Sequence, residues 1–376
     1  MHQLFNSLKG LIKPKLCITD NIVFRLHYRT TVVILLAFSI MVTAQQYFGD
    51  PISCITKRNI PANLLDSYCW IHSTFSIENS WNGKVGVDIP YPGVDNSKEM
   101  NAFRVYHTYY QWVCFFLFIQ AIFFYLPHLM WKTIEGGLIR NLILGLDKPI
   151  VKSEDLLMNI DLLSDYLRRS FTMHKKLFFG YILSEILNLI NVLVQMLMVD
   201  TFLGGQFFNY GWSVLQWNNW SWPLNYNPMI QLFPRLTKCE FFQYGPSAGI
   251  ERFDTMCLLP VNILNEKLYI FMWFWFYSLT IVSIITVVYR LLMISFLSTQ
   301  TLAIFLNCRT LKRNKITNIL QNGNIGDWFL LYLLSKNIDP LNFHDLMLHL
   351  EMKIKNKILS NHIENEMDKY NLHRLD

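Results

Sequence analysis

Four of the seven cysteines fall into two pairs: Cys54 with Cys69 and Cys239 with Cys257, 15 and 18 positions apart. Thiols so placed could bind a metal or close disulfides. Zinc sites draw their ligands from short turns and often add histidine, so these long intervals without a nearby paired histidine argue against a metal site. Four thiols in an oxidising compartment allow three pairings, and the residues alone leave open whether bridges close within each segment or join the two. No Gly-rich phosphate loop, HExxH or GxSxG pattern is present. Catalysis is therefore disfavoured, and no cofactor is expected.

Two polar stripes are the other chemistry-bearing sets. Ser39, Thr43, Gln46 and Asp50 recur at intervals of 4, 3 and 4, which on a helix keeps them within about 60° of one another. Ser184, Glu185, Asn188, Asn191 and Gln195 form a broader stripe, over roughly 120°. Both stripes sit in strongly apolar surroundings, where a polar side chain must face water or a neighbouring helix. For the first stripe both readings stay open; for the second, hydrogen bonding between helices is the favoured one.

The elements that carry these stripes are long apolar runs. Residues 109–131 contain no Lys, Arg, Asp or Glu over 23 positions, a helix of about 35 Å that would cross a bilayer. With residues 30–48, 177–203 and 268–289 this makes four spans. The sequence is 52% hydrophobic and 15% aromatic yet 16% charged, so sizeable aqueous regions must alternate with them. The expected fold is an all-α membrane protein with four transmembrane helices, two extracellular loops (49–108 and 204–267) and a helical cytoplasmic part. Residues 1–29 have five Lys or Arg and no apolar run, unlike a cleaved signal peptide.

Cation placement sets the orientation. Segments 1–29, 132–176 and 290–376 carry 24 of the 33 Lys and Arg, and the two loops carry 9. The positive-inside rule therefore puts both termini in the cytoplasm, and the net charge of +6 belongs to that inner surface rather than to nucleic acid. Within 132–176, Ser153, Asp155 and leucines 156, 157, 163 and 167 predict a helix with one apolar face. In the tail, WFLLYLL after Gly326 and Asp327 is too short to span, so a helical cytoplasmic bundle is expected. Pro127 lacks an N–H within the second span and is read either as a hinge or as a packing feature. Leu4, Phe5, Leu8 and Leu11 recur at helical spacing.

Several segments carry a family resemblance: FGDPISC, IPANLLDSYCWIHSTF, YHTYYQWVCFFLFIQAIFFYLPHLMWKTIEGG, FPRLTKCEFFQYG and CLLPVNILNEKLYIFMWFWF. Together they resemble the innexins, the invertebrate gap-junction family, whose signature is matched by YYQWV. The resemblance runs from LKGLIK and VFRLHY to GDWFLLYLL. It implies bridges between the loops, Cys54 to Cys257 and Cys69 to Cys239. It also implies a homo-oligomeric ring, an octamer by analogy, or a heteromer with sibling subunits. Two rings in apposed membranes would dock to pass ions and small metabolites.

The same resemblance favours the pore for the outer end of the first stripe, where Asp50 would act as a fixed charge on hydrated solutes. It places Met1, His2, Leu4 and Phe5 at the inner pore mouth; an interfacial helix lying on the lipid is the alternative for that segment. His128 stands where the family pattern has Arg. Asn219 begins an Asn-Trp-Ser glycosylation acceptor, and a glycan there would obstruct docking. Two other readings remain: an undocked hemichannel, and a four-span adhesion or scaffold protein that conducts nothing.

Overall fold

The computed structural model describes residues 17–56, 60–95, 103–143, 145–148, 153–217 and 227–372, with side chains up to residue 356. Met1, His2, Leu4, Phe5 and Asn219 therefore lie outside the described residues. Four helices are long and apolar enough to cross a membrane: Ile22–Tyr47, Val113–Glu135, Lys175–Phe202 and Pro260–Ser295. Their apolar residues sort by helical period. In the second, Leu117, Gln120, Ala121, Phe124 and His128 are buried, while Phe115, Phe118, Ile119, Ile122 and Leu126 face outward, the stripe a lipid-facing helix presents. The first begins at Asn21, whose side chain accepts the Phe24 N–H at 2.6 Å, an N-cap.

The chain divides into two compact units. One comprises Arg29–Tyr125 and Ile190–Ile281 and bears a five-stranded antiparallel sheet in the order β1-β5-β4-β2-β3. The strands are β1 (Ser53–Cys54), β2 (Thr74–Ile77), β3 (Arg104–His107), β4 (Leu236–Tyr244) and β5 (Ile250–Leu258). Nine residue pairs join β4 to β5. Their hairpin turns through Gly245–Gly249, closed by the Gly245 N–H donating to the Gly249 carbonyl at 2.8 Å. The helix Ala62–His72 packs against β1 and β4, burying Leu65 and Cys69.

The other unit, Met1–Tyr28, Leu126–Leu189 and Val282–Asp376, is built from helices among its described residues. Ser153–Ser170 packs along Pro340–Leu372, and Leu297–Asn307 against both Arg313–Gln321 and Ile325–Asn337. The WFLLYLL run lies in Ile325–Asn337 and is buried almost all round. It is a core helix, its apolar residues covered by protein. Asn324 and Asp327 form a capping box at its start. Gly326 permits the close approach there, because a Cβ would lie 2.4 Å from the His174 carbonyl carbon.

Candidate pore and junction elements

Strand pairing sets Cys54 of β1 opposite Cys257 of β5, and the two sulfurs are bonded at 2.05 Å. Cys69, from the loop helix, is bonded to Cys239 of β4 at 2.06 Å. The sulfurs of Cys54, Cys69 and Cys257 lie within 4.8 Å of one another, so the bridges are neighbours in one core. Spent in disulfides, these sulfurs have no thiolate to offer a metal. They are staples between segments on either side of the second and third spans.

Polar groups finish this junction. The Cys54 N–H donates to Asp66 Oδ1 at 2.7 Å. Arg104 and Arg252 share Glu240, and Lys238 pairs with Asp254 at 2.7 Å. His107 Nε2 is 2.9 Å from Ser76 Oγ, and burial lowers its pKa to about 4. The YYQWV element ties the start of the second span to the loop helix: Gln111 donates to the Trp70 carbonyl, and the Trp70 and Tyr110 rings lie 4.8 Å apart. Arg235 grips the fully buried Glu266 with two hydrogen bonds, of 3.2 and 2.7 Å, fixing the entry to the fourth span.

The first stripe divides. Ser39 is buried and donates to the Cys114 carbonyl at 2.9 Å. Its partner is a buried helical carbonyl of the second span, so within the subunit the hydroxyl faces protein. Thr43 donates to its own helix, at the Ser39 carbonyl, 2.7 Å away, and Gln46 Nε2 donates to the Tyr110 carbonyl at 2.9 Å. Both stay half-buried, and Asp50, past the helix end, is exposed. The outward face of this helix instead shows Ala37, Ile40, Met41 and Ala44.

In the other unit, Glu185 and Arg290 form a buried ion pair. Arg290 Nε lies 2.9 Å from Glu185 Oε2, its Nη2 reaches Oε1 at 3.1 Å, and the side chains are only 7% and 5% exposed. Asn21 Nδ2 adds a hydrogen bond to Oε1 at 2.7 Å, and the guanidinium sits 5.1 Å above the Tyr181 ring. Such a pair holds only while complete, since either charge left alone in an apolar interior is costly. Ser184 donates to the Gly180 carbonyl at 2.8 Å. For Ser184 and Glu185 the second stripe thus acts between and within helices. Asn188 is buried, with no hydrogen-bond partner for its amide among the described residues.

Pro127 is buried inside an unbroken helix. His128 is 5% exposed and stacks on Tyr28, ring centres 3.7 Å apart, so it packs in the interior. Asn337 holds the backbone ahead of the first span at both poles, accepting the Ile18 N–H at 2.6 Å and donating to its carbonyl at 2.8 Å. Asp327 accepts from the Thr172 N–H at 2.8 Å and meets His174 Nδ1 at 2.9 Å. Burial alone would raise its pKa, but these hydrogen bonds and that of the Asn324 N–H bring it below the usual carboxylate value.

The sequence model of the family described as Innexin matches residues 20–354. The chain belongs to the innexin family. Innexin inx2 of Schistocerca americana is 43% identical over 359 residues, 95% of this chain and 99% of the relative. Innexin shaking-B of Drosophila melanogaster is 42% identical over 347 residues, 92% of this chain and 93% of the relative. Innexin inx2 of Drosophila melanogaster is 43% identical, covering 92% and 94%. Innexins are gap-junction channel subunits that assemble as oligomers, and this innexin is such a subunit, with four membrane spans and two disulfides.

Sequence reasoning missed three features of this innexin. The sheet was the largest, although GPSAG between two nine-residue stretches was a readable hairpin signal. Arg290 as partner to Glu185 was the second. Glu185 lies ten residues into the third span and Arg290 five residues before the end of the fourth, so in antiparallel neighbours both fall at the same end and could have been proposed as partners. Asn337 was the third, and no local pattern marks it.

Proposed function

We propose that this innexin forms a ring, an octamer by analogy, around a wide aqueous pore with both termini in the cytoplasm. Two such rings in apposed membranes dock through the two loops and let ions and small metabolites diffuse between cells. The observation that carries this reading is the single sheet that unites both loops through the bridges Cys54–Cys257 and Cys69–Cys239. A surface that must meet its counterpart in another membrane gains from rigidity set before contact.

Thr43, Gln46 and Asp50 line the outer part of the pore, and Met1, His2, Leu4 and Phe5 its inner mouth. Pro127 serves as a hinge in the second span. A pore this wide leaves solutes hydrated, so Asp50 acts by its charge and gives weak cation preference. Cysteine substitution tests the lining: in open channels, Thr43→Cys and Asp50→Cys react with a charged methanethiosulfonate reagent and conductance falls, whereas Ser39→Cys stays unreactive. Unreactive Thr43→Cys and Asp50→Cys would remove this helix end from the pore. Particle images of the purified assembly count its subunits.

A further inference from the structure

Past the fourth span the chain turns sharply and then presents an apolar strip followed by bare cations. Exposed apolar side chains continue along that span through Leu291, Leu292 and Ile294 to Phe296. Its one charged residue after Lys267, Arg290, is buried in the pair with Glu185. From Lys267 to Phe296 a helix rises about 43 Å, close to the roughly 40–45 Å of a bilayer with its headgroup layers. Phe296 thus falls at headgroup depth. Its backbone is extended, φ −126° and ψ 120°, so the helix Leu297–Asn307 leaves in a new direction.

The orientation of that helix is fixed. Gln300 Nε2 donates to the Met293 carbonyl at 2.9 Å, Trp328 Nε1 donates to the Gln300 carbonyl at 3.0 Å, and Asn307 Nδ2 reaches Ser335 Oγ at 2.9 Å. Gln300, Thr301, Ala303 and Ile304 are buried on that side. On the other, Leu302 is 39% and Leu306 57% exposed, following Phe296 at 54%. Arg309, Lys312 and Arg313 come next, all exposed, and no carboxylate among the described residues pairs with them. Glu351, an acid of the same bundle, is taken by Lys355 at 2.7 Å and Lys315 at 3.9 Å.

We infer that Leu297–Arg313 is a membrane-surface anchor, with Phe296, Leu302 and Leu306 set into the headgroup boundary and Arg309, Lys312 and Arg313 bound to anionic lipid phosphates. Apolar side chains beside a cation cluster are the chemistry that recognises a negatively charged leaflet, and the continuity with a span brings that leaflet within reach. The inference goes beyond the channel reading and needs only the four spans. It assigns to the tail a fixed height against the membrane, set by lipid charge.

The test is hydrogen exchange of the full-length protein in nanodiscs, comparing phosphatidylcholine alone with phosphatidylcholine containing phosphatidylserine in both leaflets. Residues 297–313 exchange at least tenfold more slowly in the anionic discs, and high salt removes the difference. The variant R309Q/K312Q/R313Q loses it too; at about fivefold per cation, the three together account for up to roughly a hundredfold in lipid affinity. All three side chains are exposed, and unchanged exchange in Ile325–Asn337, the buried helix of the same unit, verifies that the variant's tail folds. Equal exchange in both kinds of disc overturns the inference. So does slowing by inositol hexakisphosphate in neutral discs without slowing by the anionic lipid, which would make this a soluble polyphosphate site. Because both disc faces are anionic, the result does not depend on orientation or docking, and a channel that failed to dock would leave it intact.

Discussion

In the sheet-bearing unit, positions 203 and 170 residues apart are joined by S–S bonds. In the tail-bearing unit, positions 105 and 319 apart meet through an ion pair and amide hydrogen bonds. Both solve one problem, the closure of very long loops, whose entropy grows only slowly with length. The covalent solution keeps its geometry whatever its surroundings do. The polar solution holds as long as water stays out and both partners are present, so it can also be released. That contrast would suit the proposed junction, with stapled loops that stay rigid and a tail-bearing unit that can adjust.

Removing a staple breaks the comparison most severely. Cys54→Ser should cost about 2–5 kcal/mol, the usual loss for a native disulfide. It should expose the β4–β5 region to limited proteolysis while leaving the four spans in the membrane. Next, Glu185→Leu strands Arg290 and should destabilise the tail-bearing unit by about 3–5 kcal/mol in thermal unfolding of the solubilised protein. The double variant E185L/R290M should recover most of that loss. Additive losses would mean the two side chains act independently.

Acid sharpens the comparison, because it attacks the sheet-bearing unit through one histidine. His107 has a folded pKa of about 4, well below the ordinary imidazole value of 6.5. Above pH 6.5 both folded and unfolded states are neutral there, and nothing is gained or lost. Below it the unfolded state binds the extra proton, so stability falls as pH drops towards 4, by up to roughly 3 kcal/mol. His107→Gln should flatten that limb of a pH-melting profile. Asp327 acts at lower pH, since its folded pKa lies below the ordinary carboxylate value of 3.8; its contribution is present above that value and is lost beneath it.

Smaller effects follow in the tail. Asp327→Ala removes a cap and the acceptor for Thr172 and should cost about 1–3 kcal/mol. Lys353, paired at the surface with Asp161 and Asp165, should be replaceable by Gln with no measurable change in melting, since exposed pairs contribute little. A large effect there would show that the surface of this unit is organised more like its interior.

How much was readable in the sequence follows the same division. The spans could be read because bilayer thickness demands long uncharged runs, as at 109–131. The family, and through it the cysteine pairing, could be read because FGDPISC and FPRLTKCEFFQYG are distinctive stretches. WFLLYLL is too short to span, and in the structure it lies in a helix covered by protein on nearly all sides. For Ser39, a stripe at helical spacing says which side is polar but not what faces it; the structure supplies a carbonyl of the second span as its partner. Asn337 was invisible because its partner, the backbone at Ile18, carries no side-chain signature. Covalent and bilayer constraints write themselves into residue types; long-range contacts to backbone do not.

The most direct test of the junction account is dual voltage clamp on paired cells that lack endogenous junctions and both express this chain. Junctional conductance should appear with the wild-type protein and vanish with Cys54→Ser even where the variant reaches the cell surface. Wild-type protein abundant at the contact with no junctional conductance, or conductance undiminished by Cys54→Ser, would contradict the account.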